Sequence, residues 1–301
     1  EEALQPLIEW RRRMGWTVEV IRVDNNANNQ AIKDAIQEAY DEWDIPPEMV
    51  VICGDTDGTY PMAFWDHRVD GNYPYESDHD YVMLDGDDVL PDAAIGRLVF
   101  NGIDGGQARL DDIVNKIISY ESDPYIGEGE EVGWQKRAAL FAGDDRSGFS
   151  CIDLCRWSKE LMIRNDYEEF FELYWNPNNP RPNGAGWINQ VFNSGIAFYL
   201  YRGWANMNGF RHESVNQLQN DRMLPFVILP TCNTGDYAEH MSSQFYYSER
   251  FLFHPDGGAI GAVGLGGASH TAYNNLLGAA TFRSIFGSKN PYQGWAAMAG
   301  K

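Results

Sequence analysis

Short apolar runs alternate with stretches of helical apolar spacing along most of the chain. The pattern predicts a helix over 4–14, a strand over 17–23, a helix over 29–44, and a strand over 49–53 that ends in Gly54-Asp55-Thr56-Asp57-Gly58. An Asp- and Tyr-rich loop over 66–80 follows, then the apolar stretch 81–84, a turn at 85–88, a short strand over 94–98 and a helix over 106–120. Strands and helices in alternation predict a largely parallel sheet covered by helices, an α/β class.

The stretch 123–133 is rich in Gly, Pro and Glu and divides the chain into halves of similar make-up, so two fused lobes are expected, 1–132 and 133–301. The second half restarts with a strand over 137–142, the loop Gly143-Asp144-Asp145-Arg146-Ser147-Gly148, and a helix over 151–165. A Pro- and Asn-rich loop over 176–183 leads to a helix over 187–193. Three apolar runs then end in loops with chemical potential. Run 195–200 leads into Tyr201-Arg202-Gly203-Trp204, run 224–229 into Thr231-Cys232-Asn233-Thr234-Gly235-Asp236, and run 259–265 into Gly266-Gly267-Ala268-Ser269-His270. Ligands of parallel α/β sheets bind outside the carboxyl ends of the strands, so these three ends are expected to face one crevice.

Composition narrows the partners. The formal net charge is −21 with a pI near 4.5, and so negative a surface repels phosphate backbones and anionic lipid, which argues against nucleic acid. No run of eighteen apolar residues is present to span a membrane as a helix. The four cysteines are too few for a disulfide scaffold, and their spacing matches no zinc site. Cys53 reads as core packing and Cys151 and Cys155 as free thiols on one helix stripe, which leaves Cys232 in a setting for chemistry, a strand-to-loop turn. The glycines between Gly257 and Gly267 do not form the dinucleotide fingerprint, so a nicotinamide cofactor is rejected.

Segments spread in order along the chain are similar to the gingipain family of cysteine peptidases. In the first half these are Leu4-Gln-Pro-Leu-Ile-Glu-Trp-Arg-Arg-Arg-Met-Gly-Trp-Thr-Val18, Val51-Ile-Cys-Gly-Asp55, Leu90-Pro-Asp-Ala-Ala-Ile-Gly-Arg97 and Lys116-Ile-Ile-Ser-Tyr-Glu121. In the second half Leu224-Pro-Phe-Val-Ile-Leu-Pro-Thr-Cys-Asn-Thr-Gly-Asp-Tyr237 resembles the segment that carries the family nucleophile, which falls on Cys232. The resemblance implies a caspase-like, gingipain-like α/β fold of two fused lobes, secretion or display at the cell surface, and hydrolysis of peptide bonds by a Cys/His dyad that needs no cofactor. It also implies a chain lacking the family's opening strand and its Gly-Asp-Pro-Ser-like closing strand.

The family's histidine lies in a Gly-His-Gly turn, and the matching residues here are Gly203-Trp204-Ala205. Indole neither takes nor gives the required proton at neutral pH, so the usual dyad is incomplete. Two readings therefore stand. In one, the chain is a secreted cysteine endopeptidase in which Cys232 attacks polypeptide substrate and His212 or His270 carries the proton. In the other, it is an inactive relative that serves as an extracellular binding or assembly protein for a protein partner. His212 and His270 read equally well as structural histidines, and His240, eight residues after Cys232, is expected on a following helix, facing away.

By the resemblance, the amides of Gly203 and Cys232 form the oxyanion hole, although Gly203 is also what a tight turn requires. Asp153 stands near the position of the family's acidic specificity residue, and a helix N-terminal charge explains it as well. The carboxylate-dense loops 55–57, 78–80 and 85–92 suit either a structural calcium, as in related peptidases, or a solvated acidic face.

Overall fold

The computed structural model describes residues 2–69, 73–100, 106–238 and 246–300, which fall into two compact units. The first takes the chain up to Ile118 together with Tyr237 and Ala238, and the second takes Ser119–Asp236 and the chain from Tyr246 to Gly300.

In the first unit, helices α1 (Gln5–Arg13) and α2 (Asn29–Glu42) precede strands β1 (Met49–Cys53), β2 (Trp65–Val69), β3 (Tyr73–Ser77) and β4 (Ala94–Leu98). The side chain of Asn28 accepts from the Ala31 amide at 2.8 Å and so starts α2 as an N-cap. Strand β1 pairs parallel with β4, Met49 opposite Ala94, and Ile32, Ile36, Ile52, Tyr81 and Leu84 close a core. Arg97 of β4, with its side chain only 5% exposed, pairs with Asp78 at 2.6 Å and donates to the carbonyls of Gly54, Met62 and Ala63.

Three features depart from the sequence pattern. Residues 17–23 form no strand, because no neighbouring strand pairs with them and Val20 and Ile21 lie at the surface, 38% and 41% exposed. Intrinsic β preference without a ladder does not make a strand. The Asp- and Tyr-rich loop over 66–80 folds back as the antiparallel pair β2–β3, and the apolar stretch 81–84 is buried beside a 3-10 turn, His79–Val82.

Helix α3 (Gly106–Ser122) leads into the second unit, which is built on five parallel strands: β5 (Arg137–Ala142), β6 (Glu169–Tyr174), β7 (Phe198–Arg202), β8 (Phe226–Ile228) and β9 (Gly261–Val263). Their order across the sheet is β6-β5-β7-β8-β9, every neighbouring pair parallel. Helices α4 (Ser150–Ile163), α5 (Ala185–Asn193), α6 (Tyr247–Phe253), α7 (Thr271–Phe282) and α8 (Gln293–Met298) complete the unit. The period of two in β5 decides the layers. Ala138, Leu140 and Ala142 join Ile152, Cys155 and Phe282 in one core, whereas Ala139 and Phe141 join Ile188, Phe192 and Phe251 in the other. The unbroken apolar run from Ala138 to Ala142 is what burial on both faces demands.

This order creates a switch point. After β5 the chain places β6 on one side and then returns to place β7 on the other, so the loops after β5 and β7 diverge at their carboxyl ends. Open parallel sheets bind ligands at such a crevice.

Candidate active site

Beyond the ends of β7 and β8 the two chains stay in register, through a parallel bridge between Ala205 and Cys232 and an Asn206 amide that donates to the Cys232 carbonyl at 2.9 Å. Asn233 turns the chain with φ of 57°, a left-handed conformation that Asn tolerates better than most residues. The buried Thr234 hydroxyl lies within 2.8 Å of the carbonyls of Leu229 and Thr231, and the Asn233 amide donates to the Gly267 carbonyl at 3.1 Å. The loop that carries Cys232 is thereby held from both sides, and the residue itself is half-buried.

Three groups surround the sulfur. The Ser269 amide donates to Sγ at 3.2 Å, the Ser269 carbonyl stands 3.2 Å away as an acceptor for the thiol, and the Asn274 side-chain amide of α7 points at Sγ from 4.0 Å. The first and third favour a thiolate, and the second favours a thiol. Ser269 and Asn274 were not singled out as sulfur partners by sequence. They arrive because β8 and β9 are neighbours, with Ile228 opposite Val263, so the loop after β9 passes over the loop after β8.

Gly203 and Trp204 follow β7 directly. The Gly203 amide, one of the two donors assigned to an oxyanion, donates to the buried Thr231 hydroxyl at 3.1 Å in the resting protein. The Gly203 carbonyl accepts from Ser147 at 2.6 Å and from Arg202 at 2.5 Å. Trp204 is 47% exposed, and the Arg146 guanidinium lies over its ring at 5.4 Å from the centroid. Arg146 in turn holds the buried Asp144 at 2.5 Å. Burial alone would raise the Asp144 carboxyl. The bonds from the Arg146 side chain and backbone, with the charges of Arg146 and Arg181, outweigh it and hold Asp144 below the usual carboxylate range.

The two proposed bases are engaged elsewhere. His270 caps α7, its Nδ1 accepting from the Ala272 amide at 3.2 Å, and its ring is exposed beside Tyr273. His212 accepts at Nδ1 from Arg250 at 3.1 Å, faces Glu213 with Nε2 at 3.5 Å, and stacks on Tyr246. A neutral imidazole has one lone pair for accepting a proton, and in both rings that lone pair is already in use. Among the described residues no imidazole is hydrogen-bonded to Cys232. His240 lies outside the described residues, and residues 233–238 before it form turns rather than the expected helix.

Asp153 sits exposed in the first turn of α4, and no hydrogen bond connects it to the sulfur or its partners. Cys151 and Cys155 are buried on α4 as free thiols, both pushed up by burial. Arg202, unremarked in the sequence, is 1% exposed at the end of β7. The only signal for it was a charged residue closing the apolar run Tyr199–Tyr201.

Several carboxylates of the acidic loops already have protein partners. Asp78 is committed to Arg97, Asp80 to His67 at 2.9 Å, and Asp92 to the amides of Leu84 and Asp85 at 2.6 and 2.9 Å. No group of three or more His, Cys, Asp or Glu side chains converges on one point among the described residues.

Residues 1–301 match the model of peptidase family C25. The chain belongs to that family. The C25 chain is similar in structure to the complex of Porphyromonas gingivalis RgpB pro- and mature domains, with a TM-score of 0.77, 20% identity, and coverage of 99% of this chain and 70% of that one. It is likewise similar to the Arg-specific cysteine proteinase gingipain R (RgpB), with a TM-score of 0.76, 20% identity, and coverage of 99% and 68%. At that identity the likeness establishes a gingipain-type fold, and no curated protein matches the C25 chain. None of its described helices is long and apolar enough to cross a membrane.

Proposed function

We propose that this chain is an extracellular polypeptide-binding member of peptidase family C25 in which hydrolysis through Cys232 is only residual. One observation carries the reading: no imidazole among the described residues is bonded to the Cys232 sulfur, in a sequence whose resemblance to the family sets Trp204 where the base is expected.

The crevice suits a polypeptide. It lies at the carboxyl end of a parallel sheet beside its switch point, flanked by the exposed Trp204 and the half-buried Cys232. The RgpB structure contains that protein's own pro-domain, a polypeptide partner for the same fold. Secretion or surface display is what family membership favours.

The chemistry stops at proton transfer. For Cys232 to cut a peptide, Sγ must attack the carbonyl, negative charge must develop on oxygen, and the leaving amine must take up a proton as the C–N bond breaks. Indole has no acidic or basic group for that step, and positioned acid–base catalysis is worth about 10²–10⁴-fold. A bound polypeptide therefore remains largely intact.

A second reading has one observation in its favour. Ser269 contacts the sulfur through both its amide and its carbonyl, and His270 is the next residue; released from its cap, its ring can take the thiol proton and, as imidazolium, pass it to the leaving amine. In that case the chain is a working endopeptidase with a displaced histidine.

Protection from alkylation separates the readings. An unfolded polypeptide such as reduced, carboxymethylated casein is expected to slow labelling of Cys232 and to be recovered uncut. Cutting that vanishes in both Cys232→Ser and His270→Ala would establish the second reading. No protection at any polypeptide concentration would remove both.

A further inference from the structure

Arg202 is a buried cation without a carboxylate partner among the described residues. Its Nε donates to Asn275 at 2.8 Å, Nη1 to the Gly203 carbonyl at 2.5 Å and Nη2 to the Thr271 carbonyl at 3.2 Å. These acceptors satisfy hydrogen bonds and supply no countercharge. A guanidinium stays protonated even when burial opposes it, so the charge remains and a full anion nearby is favoured.

The position of Arg202 points to the anion. On one side it grips Gly203, whose amide is bonded to Thr231, the residue before Cys232. On the other it grips Thr271 and Asn275, flanking Ser269 and Asn274, both of which contact Sγ. The ionisable groups whose charge acts on Arg202 are Cys151, Cys232, Tyr201 and Cys155. Cys151, Cys155 and Tyr201 are all fully buried, and burial raises each of them away from ionisation. Of the four, only Cys232 is partly exposed.

The remaining charged neighbours do not compete. Asp144 is neutralised by Arg146 and Arg181, His270 caps α7, and no carboxylate is among the groups whose charge acts on Arg202. The Ser269 carbonyl favours the protonated thiol, and the Ser269 and Asn274 N–H groups oppose it.

We propose that Arg202 is a positioning residue that stabilises the Cys232 thiolate from behind the strand ends, doing electrostatically what an imidazolium would do from the front. The inference deepens the reading of Cys232 as the functional centre. It does not require hydrolysis, so a failure of the peptidase or binding assays leaves it standing.

The test is the pH dependence of Cys232 alkylation by iodoacetamide, followed on the Cys232 peptide by mass spectrometry, with Cys232→Ser as the blank. The wild-type midpoint serves as the reference for the variants. Arg202→Met or Arg202→Gln, whichever folds by circular dichroism, is expected to raise the midpoint by about one unit and to slow alkylation at pH 7 about five- to tenfold. Arg202→Lys, which keeps the charge, is expected to recover most of the wild-type midpoint. A Cys232 midpoint that is the same in wild type and in a folded neutral variant overturns the proposal. So does a lysine variant shifted as far as the neutral ones, since a packing role would act that way.

Discussion

Replacing Trp204 by histidine should turn a residual peptidase into a measurable one. The backbone at 204 is already fixed against the nucleophile, because Ala205 bridges Cys232 and the Asn206 amide bonds its carbonyl at 2.9 Å. An imidazole on that backbone meets a half-buried thiol with no other base bonded to it. The gain available from positioned proton transfer is about 10²–10⁴-fold, equivalent to roughly 3–5 kcal/mol of barrier. The cost to the fold is small. Trp204 is 47% exposed, and its main specific contact is the Arg146 guanidinium at 5.4 Å, worth about 0.5–1 kcal/mol at an exposed site. That corresponds to a fall of a few degrees at most in melting temperature. The assay is release of fluorescent peptides from labelled casein by wild type, Trp204→His and the double variant Trp204→His/Cys232→Ser. The reasoning is refuted if Trp204→His melts normally yet cuts no faster than wild type, or if its gain survives loss of Cys232.

Two further predictions concern the frame of the site. Thr231→Val leaves the buried Gly203 amide without its acceptor, so it should cost about 1–3 kcal/mol in chemical denaturation, while Thr231→Ser stays near wild type. Asp144→Asn should destabilise by about 1–2 kcal/mol at pH 7, a figure reduced for the partial exposure of Arg146. Its sign with pH follows from the lowered carboxyl. The stability Asp144 supplies is complete above its unfolded value near 3.9 and is lost as pH falls through the depressed folded value. Melts of wild type and variant should accordingly stay apart at pH 7 and pH 5 and converge only below about pH 4.

What could be read in the sequence depended on how local the cause was. Strands β1, β4 and β5 match their predicted limits, because each is a short segment bounded by turn residues. Strand β6, Glu169–Tyr174, gives no such run, since an edge strand keeps Glu169 and Glu172 beside its aromatics. Strand β7 extends two residues further than the run 195–200 because its pairing with β5 carries through Tyr201 and Arg202. Residues 17–23 fail in the opposite direction, with strand-like composition and no partner.

The site divides in the same way. Cys232 is singled out by its own segment, a strand end with a recognisable neighbourhood. Its sulfur partners Ser269 and Asn274 lie 37 and 42 residues away and come near only through the β8–β9 pairing. Arg202 was hidden for the same reason. Its acceptors Thr271 and Asn275 are 69 and 73 residues distant, and without them a buried arginine reads as the start of a loop.

The central claim is that the crevice holds polypeptide without cutting it, and intact-mass analysis tests this most directly. Wild type and Cys232→Ser are each incubated for a day with an unfolded polypeptide at saturating concentration. Equal recovery of full-length polypeptide from the two proteins is the predicted result. Many cuts per wild-type molecule that disappear in Cys232→Ser would show that a proton carrier serves Cys232 after all.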